Sequence, residues 1–276
     1  MIVGGCGRTV NDYGRDGAMG GRVAVRSGGA AVGAAHRALS WRVLPPSPEA
    51  AVLVLHGGKE YGAAPPPVLN LPGLRMVPFA RAVQSGAKAA GGRSLAVGTV
   101  RYRCRGWNGE RADAARDAEA ALSELVEQLG PVPTVLIGHS MGGRAALRAA
   151  AHPCVRGVVA LAPWCPQDEP TAHLEGRSVL MLHGDRDKIT APGDTDLFAL
   201  RARGHGARVA GYRVLGSGHT LMRRAGDWHR AAAGLALALL DLGPLPEEVG
   251  AALALPGQAP DGQAPDGLHL PLLGRR

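Results

Sequence analysis

Aromatic side chains are scarce in this chain: Phe, Trp and Tyr make up 4% of its 276 residues, and lysine occurs only at positions 59, 88 and 188. A core short of rings is filled by aliphatic side chains and by backbone brought close over small residues, and Gly alone numbers 41. Long apolar runs are missing too. The longest, AAAGLALALL at 231–240, is about half of the ~20 residues that a bilayer span needs, so no membrane association is expected. The opening MIVGGCGRTVNDYG has no charged segment followed by an apolar one, which argues against Sec export. The four cysteines, Cys6, Cys104, Cys154 and Cys165, form no C-x-x-C pair. That leaves zinc and dithiol chemistry without its usual spacing and suits a reducing compartment. A soluble, cytoplasmic protein is expected.

What is present is an ordinary apolar fraction, 46%, enough for a substantial core, and a net charge of +8 carried almost wholly by arginine. Arginine grips phosphate bidentately, which raises nucleic acid as a partner. Here the arginines are scattered, without a basic block or interleaved aromatics, so a solvated basic surface is expected and nucleic acid is not.

The ends differ from the middle. Residues 1–35 are dense in Gly and show no sustained period, which predicts a flexible lead-in with at most a short strand at Gly21–Arg26. Residues 244–276 hold Pro244, Pro246 and the doubled GQAPD at 257–266, and read as a Pro/Gly-rich tail unable to bury enough apolar surface to order itself. Between them, 36–243 reads as one domain in which strand and helix alternate. Strands are predicted at Leu39–Leu44, 51–58 (AVLVLHGG), 94–102 (SLAVGTVRY), Thr134–Gly138, Val155–Ala162, Val179–Leu182 and Arg208–Leu215. Helices are predicted at Leu74–Ala90, Glu110–Leu129, Met141–Ala151, Asp196–Arg203 and Asp227–Leu242. Apolar strands alternating with helices imply a mostly parallel sheet covered on both faces, an α/β architecture with its ligand site beyond the carboxyl ends of the strands.

The polar residues of interest fall at those ends. TVLIGHSMGG at 134–143 holds Ser140 between glycines, where a strand turns into a helix. A G-x-S-x-G match alone says little in so Gly-rich a chain, and serine also suits a helix N-cap. In the strand–turn–helix context, however, the hydroxyl is exposed beside free helix N–H groups. A nucleophilic hydroxyl needs a base, and the base an orienting carboxylate. HGDRD at 183–187 offers Asp185 and Asp187, and GSGHT at 216–220 offers His219.

Taken in order with HGG at 56–58 and RYRCRGWNG at 101–109, these motifs resemble the α/β-hydrolase superfamily over residues 37–243. The resemblance implies the α/β-hydrolase fold with Ser140 as nucleophile and His219 as general base. It favours Asp187, three residues after Gly184, over Asp185 as the acid. It also implies an oxyanion hole of backbone N–H groups from Met141 and Gly58, with Lys59 as the alternative donor. His56, His139 and His183 are expected to be structural. Trp107 and Trp164 follow strand ends, where they either line a substrate pocket or pack loops. The short interval 165–177 leaves no room for a helical cap, as in the compact members similar to dienelactone hydrolase. Those often carry cysteine where Ser140 stands, so an ordinary ester is favoured over a lactone. The expected activity is cleavage of a small-molecule carboxylic ester without metal or organic cofactor. Thioester cleavage, acyl transfer or a non-catalytic binding role on the same fold are the alternatives. Oligomeric state is not encoded in any of these features.

Overall fold

The computed structural model describes residues 36–91, 94–256 and 267–272. The N-terminal segment 1–35, with its expected strand at Gly21–Arg26, lies outside the described residues. The apolar runs form the middle of an eight-stranded sheet ordered β1-β3-β2-β4-β5-β6-β7-β8. Its strands are β1 (Leu39–Val43), β2 (Ala50–Leu55), β3 (Leu95–Val100), β4 (Thr134–His139), β5 (Val155–Leu161), β6 (Ser178–Gly184), β7 (Arg208–Val214) and β8 (Leu270–Pro271). Only β1 runs antiparallel to its neighbour.

Every residue of β2, β4 and β6 is buried, which is why these strands read as unbroken apolar runs rather than alternating ones. The period of two is still there, resolved by face. Leu53, Leu55, Leu136 and Val158 point into one core, with α2 (Asp113–Leu129), α3 (Met141–Arg148) and α4 (Pro192–Gly204). Val52, Val54, Val135, Ile137 and Val159 point into the other, with α1 (Leu71–Ala89), α5 (Ala225–Leu239) and α6 (Glu247–Leu253). No cap interrupts this plan: among the described residues between β5 and β6, the only helical structure is a 3₁₀ turn at Ala172–Leu174.

Two expectations need correction. The helix read as continuous from Glu110 is broken at Ala112, whose φ of 45° separates a 3₁₀ turn, Gly109–Arg111, from α2. The break lets the loop fold back, so that the Asp113 N–H donates to the Trp107 carbonyl at 3.0 Å and the Asp113 carboxylate accepts from Asn108 Nδ2 at 2.7 Å. The 244–276 segment is not uniformly an apolar-poor tail either. Val249, Ala252 and Leu253, at helical spacing, give α6 a stripe that buries against the sheet. Further on, Leu268 is buried and β8 pairs with β7 at its outer edge. Gly211 permits that approach: a Cβ there would lie 2.6 Å from the Leu268 carbonyl oxygen. Pro271 sits on the edge strand, where a missing N–H costs least. Residues 257–266, including the GQAPD repeat, lie outside the described residues.

Among the described residues no helix is long and apolar enough to cross a membrane. Scarce rings make each buried one count. Trp228 on α5 is fully buried, and its indole N–H donates to Ser217 Oγ at 2.9 Å. Replacing it with Ala is expected to lower stability by about 3–5 kcal/mol, read from the midpoint of urea unfolding at constant m-value.

Candidate active site

Ser140 sits between the last residue of β4 and the first of α3 with φ 55° and ψ −121°, a conformation that costs on the order of 1–3 kcal/mol and persists only when its surroundings impose it. The flanking glycines show what imposes it. A Cβ on Gly138 would lie 2.2 Å from the Gly142 carbonyl oxygen, and one on Gly142 would lie 2.5 Å from the carbonyl oxygens of both Leu55 and His56. Helix α3 can start this close to β2 and β4 only because those side chains are absent. The Ser140 N–H is tied to the Leu161 carbonyl at 3.0 Å. Its side chain makes no capping bond to α3. The hydroxyl is turned elsewhere.

It meets His219: Ser140 Oγ lies 3.0 Å from Nε2, and Nδ1 lies 2.8 Å from Asp187 Oδ2. The ionised carboxylate can only accept, so Nδ1 of His219 carries the proton and Nε2 is left to accept from the Ser140 hydroxyl. Two loops make this meeting possible. After β6, Asp185 accepts the Gly216 N–H at 2.6 Å, and the Arg186 N–H donates to the Ser217 carbonyl at 3.0 Å. These bonds lash the 184–187 loop to the 216–219 loop after β7. Asp185 is thus the turn-tying aspartate, and Asp187 faces the imidazole.

Asp187 is held from several sides. Oδ1 accepts the backbone N–H groups of Ile189 at 2.8 Å and Thr190 at 3.1 Å. Oδ2 accepts from the Thr190 hydroxyl at 3.0 Å and from His183 Nε2 at 3.2 Å, besides His219. Burial raises the carboxyl, but hydrogen bonds from His183, His219 and the two backbone N–H groups outweigh it and hold the acid well below the usual carboxylate range. Sequence reasoning assigned His183 no specific contact. It lies four residues before Asp187 in HGDRD, with Nδ1 against the Thr195 hydroxyl at 2.8 Å, and its presence in that motif was the available signal.

The other two histidines hold backbone. His56 Nδ1 donates to the Gly57 carbonyl at 2.7 Å, and Nε2 accepts from Asn70 at 3.0 Å. Burial lowers its pKa, partly offset by the Gly57 bond. His139 Nε2 donates to the His219 carbonyl at 2.9 Å. Burial, then repulsion from His219, push His139 down to about 3, so it stays neutral and its bond to the His219 backbone does not titrate near neutrality.

Gly58 and Met141 approach so closely that a Cβ on Gly58 would lie 2.4 Å from Met141 Cε and 2.6 Å from the Arg105 carbonyl oxygen. Among the described residues neither backbone N–H has an internal acceptor. The N–H of Lys59, the alternative donor, instead donates to the Arg105 carbonyl at 2.9 Å, in the bridge that pairs Lys59 with Gly106. Asn108 braces the same loop, accepting the Gly62 N–H at 2.8 Å.

Trp107 and Trp164 both border one cavity of about 720 Å³. Their rings stand edge to face at 6.2 Å, with the Arg144 guanidinium 3.9 Å from one centroid and 4.4 Å from the other. Trp107 is almost fully buried and packs, and half-buried Trp164 packs beside it.

A family model for an alpha/beta hydrolase domain matches residues 102–224, which span the Ser140 turn, Asp187 and His219. A comparison with curated protein sequences finds no match. Among solved structures, the chain is similar to a lid-less α/β serine hydrolase from Xanthomonas campestris (20% identity, 75% of this chain and 90% of that one, TM-score 0.51). It is also similar to esterase PE8 (20% identity, 74% and 100%, TM-score 0.55). An α/β serine hydrolase homologue from Coxiella burnetii is similar at 12% identity (71% and 88%, TM-score 0.52). At these identities the likeness establishes the fold, which is that of the α/β hydrolases.

The depressed Asp187 carboxyl stabilises the folded chain fully above the unfolded carboxyl value of about 4, and that contribution is lost as pH falls below it. Asp187→Asn is therefore expected to be less stable than the parent at pH 7 and to lose less further stability between pH 5 and 3. Denaturant midpoints across that range would read both effects.

Proposed function

We propose that this chain, an α/β hydrolase by fold, is a serine hydrolase that cleaves carboxylic esters through an acyl-enzyme. The observation that carries the reading is the continuous hydrogen-bonded chain Ser140–His219–Asp187, at 3.0 and 2.8 Å, on a turn strained at the serine. Ser140 Oγ attacks the ester carbonyl carbon while His219 Nε2 takes the hydroxyl proton. The imidazolium so formed is stabilised by Asp187, which stays ionised because its carboxyl is held low. Negative charge on the carbonyl oxygen meets the N–H groups of Met141 and Gly58, with the N-terminus of α3 behind them. The tetrahedral intermediate collapses, His219 returns its proton to the departing alkoxide, and the alcohol leaves. Water, deprotonated by His219, then attacks the acyl–Ser140 ester, and the acid departs as the proton passes back to Oγ.

His183, Thr190 and Thr195 act through Asp187. They fix the carboxylate so that one oxygen points at His219, which sets the imidazole's tautomer and aim. Among the described residues no cap lies between β5 and β6, which fits a small ester approaching from solvent.

Ser140→Ala is expected to lower kcat for p-nitrophenyl acetate by a factor on the order of 10⁴–10⁶ and to abolish labelling by a fluorophosphonate. Full turnover by that variant would overturn the reading. Gly58→Ala, whose new Cβ collides with Met141 and the Arg105 carbonyl, should displace one oxyanion donor and cost roughly 10²–10³ in kcat with the fold retained by circular dichroism.

A further inference from the structure

The cavity bordered by the two tryptophans carries a chemical signature of its own. Arg144 is 7% exposed. Its Nε donates to Glu169 Oε2 at 2.5 Å, and Arg148 Nε donates to the other oxygen of the same carboxylate. The terminal nitrogens of Arg144 have no acceptor among the described residues, and the side chain lines the cavity. The planar group is already clamped between Trp107 and Trp164, so its donors are aimed before any ligand arrives. Three exposed carboxylates, Glu60, Glu110 and Asp168, stand on the cavity's other walls.

This arrangement discriminates between ligand classes. An apolar acyl chain would leave the terminal nitrogens of a largely buried guanidinium without an acceptor. An anion would suit Arg144 and Arg148 but meet the three carboxylates, and a cation would meet the reverse. A neutral group bearing several hydroxyls answers both, because each hydroxyl donates to a carboxylate and accepts from an arginine. The volume of about 720 Å³ lies within the range of small-molecule sites. Ser140 does not itself line the cavity, but two of the cavity's walls are tied to its backbone. The N–H groups of Arg144 and Trp164 both donate to the Ser140 carbonyl, at 3.1 and 3.2 Å, and Glu60 follows Gly58 by two residues.

We infer that this cavity receives the alcohol half of the substrate and that this half is a neutral polyol such as a sugar, with Arg144 as a specificity-determining residue. The inference rests on the ester-hydrolase reading of Ser140. Hydrolysis then releases the free polyol and a carboxylic acid, with water as the only co-reactant.

Two esters sharing an acyl group, 6-O-acetylglucose and ethyl acetate, separate the alcohol half from the rest. The parent protein is expected to favour acetylglucose by at least about tenfold in kcat/KM. That preference ratio should fall about five- to tenfold in Asp168→Asn and in Glu110→Gln, through KM, and further in Arg144→Lys, which keeps the charge and loses the fork. A binding arm needs no turnover: ligand-observed NMR of glucose with Ser140→Ala should show binding that Asp168→Asn in the same background weakens. Equal rates on the two esters, or a ratio untouched by the rim substitutions, overturn the assignment, as does absent glucose binding. Glucose binding without hydrolysis of either ester upholds the cavity and sinks the reading of the triad.

Discussion

The close approach of helix α3 to strands β2 and β4 is the constraint on which the site depends. Gly142 lies against the carbonyl oxygens of Leu55, the last residue of β2, and of His56 after it, and Gly138 against the carbonyl of Gly142, so neither position admits even a methyl group. That packing forces Ser140 into positive φ, lifts its hydroxyl off the sheet and aims the first free N–H groups of α3 at the same point. The strain is local, while the packing that opposes it comes from strands buried on both faces. Ser140 is therefore held by strands β2 and β4, every residue of which is buried.

Asp187 and His219 stand on the loops that follow β6 and β7, and cross-links tie those loops together. Asp185 holds Gly216, Arg186 holds Ser217, and Ser217 in turn accepts from the fully buried Trp228. His139, adjacent to Ser140, holds the carbonyl of His219. His219 is thus fixed through its backbone by the end of β4 and through its ring by Asp187. The carboxylate is itself fixed by His183 and Thr190.

Much of this was legible in the sequence. Continuous apolar runs ending in HGG, GHSMGG and HGDRD announce buried parallel strands whose ends carry chemistry, and the order of Ser140, Asp187 and His219 indicates which groups meet. What escaped has a common cause: it depends on which way side chains face across loops distant in sequence. Asn108 bracing Gly62, Glu169 joining two arginines and Trp107 stacking on Arg144 have no periodicity to betray them. The break at Ala112 escaped because alanine gives no hint of left-handed backbone. Helix α6 escaped because a Pro- and Gly-rich surrounding masked a short apolar stripe.

One carbonyl oxygen has a further consequence. The peptide that follows Ser140 receives N–H groups from both Arg144 and Trp164, so the orientation of that peptide plane and the position of the tryptophan wall are not independent. On the proposed reading, a substrate that shifts Trp164 as it settles would tug on the hinge of the serine itself, and binding energy gained far from the ester bond would be converted into alignment of Ser140 Oγ.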